Sequence, residues 1–250
     1  MSEPSPSVLP DGCVQITLAG PGMNALGTNL MEDLLTQLEA AGDAPLLVVG
    51  EGRAFSAGLD LKEVLSLDEP GMGRFLHLLT ALTQKIFRHP APTVAAVHGH
   101  AIAGGAVLAR MCDVAVAPAG GRGRIGLNEV ALGPRFPPRL LRALQSRIPR
   151  RFHTEVFLGA GLHKPPEAYR LGLVDILSAG ADPASVRTEA IAHLQALTSH
   201  PADAYAHAKA AMQADIPQTS AAELQAFEET GLPVWAGPRL KATIRTILKL

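Results

Sequence analysis

Val97-His-Gly-His-Ala-Ile-Ala-Gly-Gly-Ala-Val-Leu-Ala-Arg-Met-Cys-Asp113 is the stretch on which the reading of this chain turns. The apolar run Thr93 to Val97 enters it, short and continuous enough for a strand buried on both faces, and a helical pattern from Gly104 to Met111 leaves it. The predicted join is a strand running into a helix through Gly104 and Gly105. The first amides of a helix have no partner inside it, and the helix dipole is positive there. Such a join suits a developing oxyanion or, equally, close packing of helix on strand through small residues. Taken alone, the stretch leaves both open.

The same pattern continues to either side. Val14, Ile16 and Leu18 alternate as in a half-buried strand, and Thr28 can cap a helix with Met31, Leu34, Leu35 and Leu38 on one face, ended by Gly42. Pro45 opens Leu46-Leu-Val-Val-Gly50, a second strand of the doubly buried kind. Phe75, Leu78, Leu79, Leu82 and Ile86 form a helical stripe closed before Pro90, and Val114 to Ala117 reads as a strand. Alternation of strand and helix over roughly 180 residues predicts an α/β layered core spanning 1–181, of which 1–12 is expected to be a flexible lead. The remainder, 182–250, reads as helical: Asp182-Pro183 starts a helix bearing Val186, Ala190, Ile191, Leu194 and Leu197, and two more are predicted from Asp203 to Ala214 and from Ser220 to Glu229. This segment is expected to cover the core or to pack on another subunit.

Composition removes several function classes. With 22 Lys+Arg against 23 Asp+Glu and 4% aromatics, the 250-residue chain has neither the basic excess nor the stacking surface of a dedicated nucleic-acid binder. Cys13 and Cys112 are too few for a disulfide framework and lack metal-ligand spacing, so no metal is expected. No apolar run approaches the ~18 residues that span a bilayer, and the N-terminus lacks a signal peptide's basic start and apolar core, which predicts a cytoplasmic protein with no membrane partner. The near-neutral total hides one local feature: residues 122–151 hold eight arginines and a single acid, Glu129.

Two further glycine segments need weighing. Gly121-Arg-Gly-Arg-Ile-Gly126 is a literal G-x-G-x-x-G, but Pro134 interrupts soon after it and no acid lies between Glu129 and Glu155 to hold a ribose, so a dinucleotide site is set aside. Ala54-Phe-Ser-Ala-Gly-Leu-Asp-Leu-Lys-Glu63 follows a predicted strand directly. Its small residues either admit a ligand to the backbone at the sheet's carboxyl edge or simply make a turn.

Taken together, Met23-Asn-Ala-Leu26, Phe55-Ser-Ala-Gly-Leu-Asp60, Ala103-Gly-Gly105, Met111-Cys-Asp113, Ile125-Gly-Leu-Asn-Glu-Val-Ala-Leu-Gly133 and Leu171-Gly-Leu-Val-Asp175 resemble, in order and spacing, the crotonase (enoyl-CoA hydratase/isomerase) superfamily over most of the chain. Several short motifs in sequence are far more specific than any one of them. The resemblance implies a spiral of ββα units followed by helices that trimerise, often as a dimer of trimers. It implies an acyl-CoA thioester as substrate, with coenzyme A part of that substrate and no separate cofactor. The thioester oxygen would lie between the backbone amides of Leu59 and Gly104. Ala57, Gly58, Asp60 and Leu61 would line the CoA site, with Asn24 and Ala25 nearby, and Gly105, Val107 and Asn128 would complete the substrate-binding set, Asn128 against the acyl group. Asp60 and Glu63 also read as turn and helix-start residues, Asp113 as a structural hydrogen-bonding group, His98 and His100 as packing or surface residues, and Trp235 as an apolar anchor.

The reaction class turns on two positions. Hydratases of this family use two glutamates; the first position is Val107 here and the second is Glu129. An apolar residue at 107 together with Gly126-Leu-Asn-Glu129 looks like the mitochondrial-type Δ3-Δ2-enoyl-CoA isomerases, in which one glutamate moves a proton from C2 to C4. Val107 would keep water from the dienolate and raise the pKa of Glu129. The alternatives are a hydratase or other acyl-CoA enzyme with water held by Glu129 alone, and a non-catalytic RNA-binding or assembly member using the arginines of 122–151. Pro134-Arg-Phe-Pro-Pro-Arg139 departs from the family pattern, and Arg135 and Phe136 are expected to reshape the acyl pocket.

Overall fold

The computed structural model describes residues 6–250, so the first five residues of the expected flexible lead lie outside the described residues. The rest of that lead is not irregular throughout. Ser7–Val8 (β1) pairs antiparallel with Val14–Leu18 (β2), across a turn closed by the Leu9 N–H on the Cys13 carbonyl at 2.8 Å. The later strands are Leu46–Gly50 (β3), Ala54–Ser56 (β4), Thr93–Ala96 (β5), His100–Ile102 (β6), Val114–Pro118 (β7), Ile125–Gly126 (β8) and Ile176–Ser178 (β9). A single turn, Pro21–Asn24 (α1), precedes Thr28–Ala41 (α2), Leu61–Ser66 (α3), Glu69–Phe87 (α4), Gly104–Met111 (α5), Glu129–Leu132 (α6) and Pro138–Arg147 (α7). Pro165–Arg170 (α8), Pro183–Thr198 (α9), Ala202–Ala214 (α10), Ala221–Thr230 (α11), Leu232–Ala236 (α12) and Pro238–Leu248 (α13) complete the helices.

Two sheets result, a six-stranded one in the order β1-β2-β3-β5-β7-β9, parallel except at β1, and a parallel three-stranded one in the order β4-β6-β8. Each of three successive chain turns, β3-β4, β5-β6 and β7-β8, lays one strand in each sheet and then runs into helix. This is the crotonase-like spiral of ββα units. Its corners stack with no room for side chains: a Cβ on Gly99 would lie 2.3 Å from the Arg53 carbonyl oxygen. Gly121–Gly126 ends in β8, not in the helix that a dinucleotide site requires.

The continuous apolar runs follow from a sheet covered on both faces. Leu46, Val48, Ala95, Ala115 and Ala117 join the main core with α2, α4 and α5. Their neighbours Leu47, Val49, Val94, Ala96 and Val116 face Val186, Ala190 and Leu194 of α9. The period of two along each strand sends alternate residues to opposite faces. Helix α9, placed at the head of the C-terminal segment by the sequence, is therefore an integral layer of the core, and α10 to α13 make up the rest.

Local chemistry fixes the connections. Helix α2 has Gly27, not Thr28, at its N-cap; Thr28 donates its N–H to Glu63 Oε2 at 2.9 Å and its hydroxyl to the other oxygen of that carboxylate. A carboxylate from α3 thus satisfies an orphan amide at the start of α2. Asp113 accepts hydrogen bonds from Thr93 N–H (3.0 Å), Arg147 (2.9 Å), Tyr205 O–H (3.0 Å) and Lys209 Nζ (2.7 Å), pinning α10 to the start of β5 and β7. Burial pushes Asp113 up, but the Lys209 and Arg147 cations outweigh it and hold its carboxyl below the usual carboxylate range. No helix among the described residues is long and apolar enough to cross a membrane.

Candidate active site

The site forms where β4 and β6 end side by side. After Ser56 the chain turns through Ala57 and Gly58 so that Leu59 pairs with Leu26: the Leu26 N–H donates to the Gly58 carbonyl (2.7 Å) and the Asp60 N–H to the Leu26 carbonyl (3.0 Å). In a parallel pairing of this kind the Leu59 N–H faces away from Leu26, and it has no acceptor among the described residues. Gly58 sits at φ 93°, and a Cβ there would lie 2.6 Å from the Ile102 carbonyl oxygen and 3.5 Å from the Gly104 nitrogen. Glycine is what allows the two strand ends to approach. β6 enters α5 through Ala103 at φ 47°, ψ −118°, a left-handed conformation that costs a non-glycine residue of order 1–3 kcal/mol. This turn presents Gly104 as the first residue of α5, with an N–H that has no acceptor among the described residues.

Leu59 and Gly104 line one cavity of about 280 Å³, together with Ala57, Leu61, Val107, Asn128 and Glu129. Seven of the twelve residues expected from the sequence therefore meet on its walls, with Gly58 packed behind the turn. The other four do not line it. Asn24, at φ 58°, is buried and its amide is spent on backbone, donating to the carbonyls of Glu51 (2.9 Å), Ala54 (2.9 Å) and Phe55 (3.2 Å) and accepting from the Gly20 N–H (3.1 Å). It braces the turn from behind. Ala25 lies half-buried beside it. Asp60 caps α3, accepting from the Lys62 and Glu63 amides, and Gly105 packs on Ser56, where a Cβ would lie 2.4 Å from the carbonyl oxygen.

The remaining walls come from distant chain. Leu79 of α4, Leu140 of α7 and Trp235 of α12 contribute, and α13 turns Leu240, Ile244 and Ile247 toward the cavity, spaced as one helical face. The C-terminal helices thus cover the site of their own chain. Phe136 lines the cavity as expected, but Arg135 does not: its guanidinium donates to Thr230 Oγ1 (2.7 Å) and its carbonyl accepts the Trp235 Nε1–H (2.7 Å). Trp235→Phe keeps the apolar wall and deletes that hydrogen bond. A loss of about 1 kcal/mol is expected, read by calorimetry as a Tm lower by roughly 2–4 °C.

Among the described residues, Asn128 and Glu129 bring the only polar side-chain atoms to the lining other than the Trp235 N–H, which is already paired. Glu129 opens α6, is 7% exposed, and leaves Oε2 without a hydrogen-bond partner; Asn128 Oδ1 is likewise unpaired. Burial pushes the Glu129 carboxyl up to about 7, opposed only by a hydrogen bond from its own backbone. A buried carboxyl that titrates near neutrality without a structural partner can both take and return a proton. Val107, 1% exposed, lines the same cavity and brings no second carboxylate to it.

The arginine run does not form a single patch on this cavity. Arg142 pairs with Glu223, Arg147 with Asp113, Arg135 binds Thr230, and Arg151 lies over the Phe152 ring at 4.7 Å. Four of the eight cations are thereby spent within the chain.

Comparison with known proteins adds relatives to this geometry. The family model described as enoyl-CoA hydratase/isomerase matches residues 9–232. A probable enoyl-CoA hydratase of Bacillus subtilis is 37% identical over 172 residues, 64% of this chain and 64% of that protein. The human mitochondrial enoyl-CoA delta isomerase 1 is 29% identical over 195 residues, 76% of this chain and 64% of that protein. The chain thus matches less than two thirds of the length of either curated relative. An apo structure of an Mtb enoyl-CoA isomerase superimposes with a TM-score of 0.76 at 27% identity, covering 100% of this chain and 99% of that one.

Proposed function

This chain belongs to the enoyl-CoA hydratase/isomerase family, and from that premise we propose that it is an enoyl-CoA isomerase, moving the double bond of a 3-enoyl-CoA thioester to the 2-position. One observation carries the reading. Among the described residues, Glu129 is the sole titratable side chain on the walls of an apolar cavity to which Leu59 and Gly104 bring N–H groups without an acceptor, and Val107 stands at the position where the resemblance implies a hydratase's second glutamate.

The chemistry follows from those groups. The thioester oxygen accepts hydrogen bonds from the Leu59 and Gly104 amides, which acidifies the C2 hydrogens. The Glu129 carboxylate removes one of them, and the electron pair spreads through the dienolate to the oxygen between the two amides. Protonated Glu129 then gives the proton to C4, leaving the double bond conjugated with the thioester. No water is consumed and no electrons are exchanged with another molecule, so no cofactor is required beyond the coenzyme A of the substrate. Each oxyanion donor of this kind is worth about 2.7–4 kcal/mol of barrier, because it is already aimed at the charge that develops.

The test follows conversion of a 3-enoyl-CoA to the conjugated 2-enoyl thioester by absorbance, beside hydration of crotonyl-CoA. Isomerisation is expected to dominate. Hydration at a comparable rate would favour the second reading, a hydratase or other acyl-CoA enzyme with water held by Glu129 alone; the hydratase name of the Bacillus relative keeps that reading in view. The proposal includes a cytoplasmic location and a homotrimer or dimer of trimers. A monomer in sedimentation analysis would remove the latter. Steeply salt-dependent RNA binding without thioester turnover would replace the proposal altogether.

A further inference from the structure

A second cavity lies on another face of α7. Arg139, Arg142 and Ala143 share one side of that helix and line it, together with Gln84 and Arg88 at the end of α4 and the chain that follows α10. It has no lining residue in common with the cavity of Glu129, to which α7 gives Leu140 instead. Three guanidinium groups thus line one space, and among the described residues no carboxylate does. The one ion pair these arginines make among the described residues is that of Arg142 with Glu223, whose other oxygen caps α11 through Ser220. Arg88 donates Nε to Gln84 Oε1 at 3.4 Å, and the exposed Arg139 has no side-chain partner among the described residues. Three cations less one carboxylate leave a charge of +2 on these groups. Like charges held this close repel one another until a counter-charge joins them. Gln84, Gln218 and Thr219 add amide and hydroxyl donors beside the arginines.

We infer that this cavity binds a small phosphate monoester, held by Arg88, Arg139 and Arg142. Such a group carries about −1.5 to −2 at neutral pH, which matches the charge left over, and guanidinium forks engage two phosphate oxygens at once. Phe87, Ile216 and Pro217 give apolar surface for the organic body of the ester. Arg142 is already held by Glu223, so ordering it adds little to the cost of binding. The site is separate from the acyl-CoA reading above and does not depend on it.

Calorimetric titration of the full chain with phenyl phosphate at low salt tests this, beside methyl phenyl phosphate, the matching diester with a single charge. One phenyl phosphate per chain is expected, bound at least ~10-fold more tightly than the diester. Arg139→Gln should weaken it ~10-fold or more, the loss of one charge-assisted contact, and Arg139→Lys, which keeps the charge without the fork, should fall between. Arg139 is exposed and unpaired among the described residues, so both variants should fold as the wild type does and keep its thioester turnover. Saturated acyl-CoA at saturating concentration should leave phenyl phosphate binding unchanged. Displacement by acyl-CoA, but not by its form lacking the 3′-phosphate, would assign the arginines to the substrate and overturn the separate site. No binding, equal affinity for the diester, or full affinity in Arg139→Gln would overturn it as well. Dissociation of an oligomer by Arg139→Gln, with no phosphate bound by the wild type, would make these arginines a contact between copies instead.

Discussion

Glu129→Gln is expected to lower kcat for 3-enoyl-CoA isomerisation by ~10²–10⁴-fold while leaving the affinity for a saturated acyl-CoA unchanged. The substitution is nearly isosteric in a side chain that is 7% exposed, so the apolar walls and the two unpaired amides stay where they are. What disappears is the ability to accept a proton. A residue needed only to fill space would weaken binding along with turnover; a proton shuttle loses kcat alone. The pH dependence separates the cases further. With the Glu129 carboxyl at about 7, wild-type kcat/KM should climb as pH rises through neutrality and the carboxylate form fills, and the residual rate of the variant should lack that step. Wild-type kcat in Glu129→Gln would remove the carboxylate from the reaction.

How much of this was legible in the sequence depended on the distance over which each feature is encoded. Leu46–Gly50, Thr93–Ala96 and Val114–Pro118 were readable because a parallel strand covered on both faces must be apolar without interruption. Strands β4, β6 and β8, two or three residues each, are too short to show a period and emerge only from their pairing. Helix α13 lies in the segment read as helical but was not delimited, although Leu240, Ile244 and Ile247 carry the helical spacing behind Pro238, because basic and polar residues fill the other faces of a short segment. Leu59, Gly104, Val107 and Glu129, which line the cavity, are reached through short motifs whose order resembles the family's. Asn24 enters the expected set only through the resemblance of Met23-Asn-Ala-Leu26, and nothing local to that motif says that the carbonyls of Glu51, Ala54 and Phe55 take up its amide. Arg135 follows the same logic, since the Thr230 and Trp235 that draw it from the cavity lie about a hundred residues away. The apolar wall that α4, α7, α12 and α13 contribute is assembled from four helices and has no signature in any one of them.

The carboxylate proposed as the base, Glu129, should also make the folded protein less stable as pH rises. Its carboxyl moves from an ordinary 4.5 to about 7 on folding, because burial penalises the charged form. Between those values the folded state keeps a proton that the unfolded chain releases, so this group's contribution is fully present below about 4.5 and is lost as pH climbs through 7. The displacement corresponds to about 3 kcal/mol at ~1.4 kcal/mol per pH unit, or roughly 6–12 °C in Tm for a chain of this size. His89 acts in the opposite sense: burial lowers its pKa below 6.5, so its contribution is present above 6.5 and lost as pH falls. A raw stability profile mixes the two, but the difference between Glu129→Gln and wild type cancels His89. That difference should grow in favour of the variant from pH 5 to pH 8, and a flat difference would mean that the carboxylate is solvated in solution and its pKa ordinary. A growing one would identify the stability cost as the source of the base: the protein holds an unpaired carboxyl in hydrocarbon because only there does it titrate where a proton can be both taken and returned.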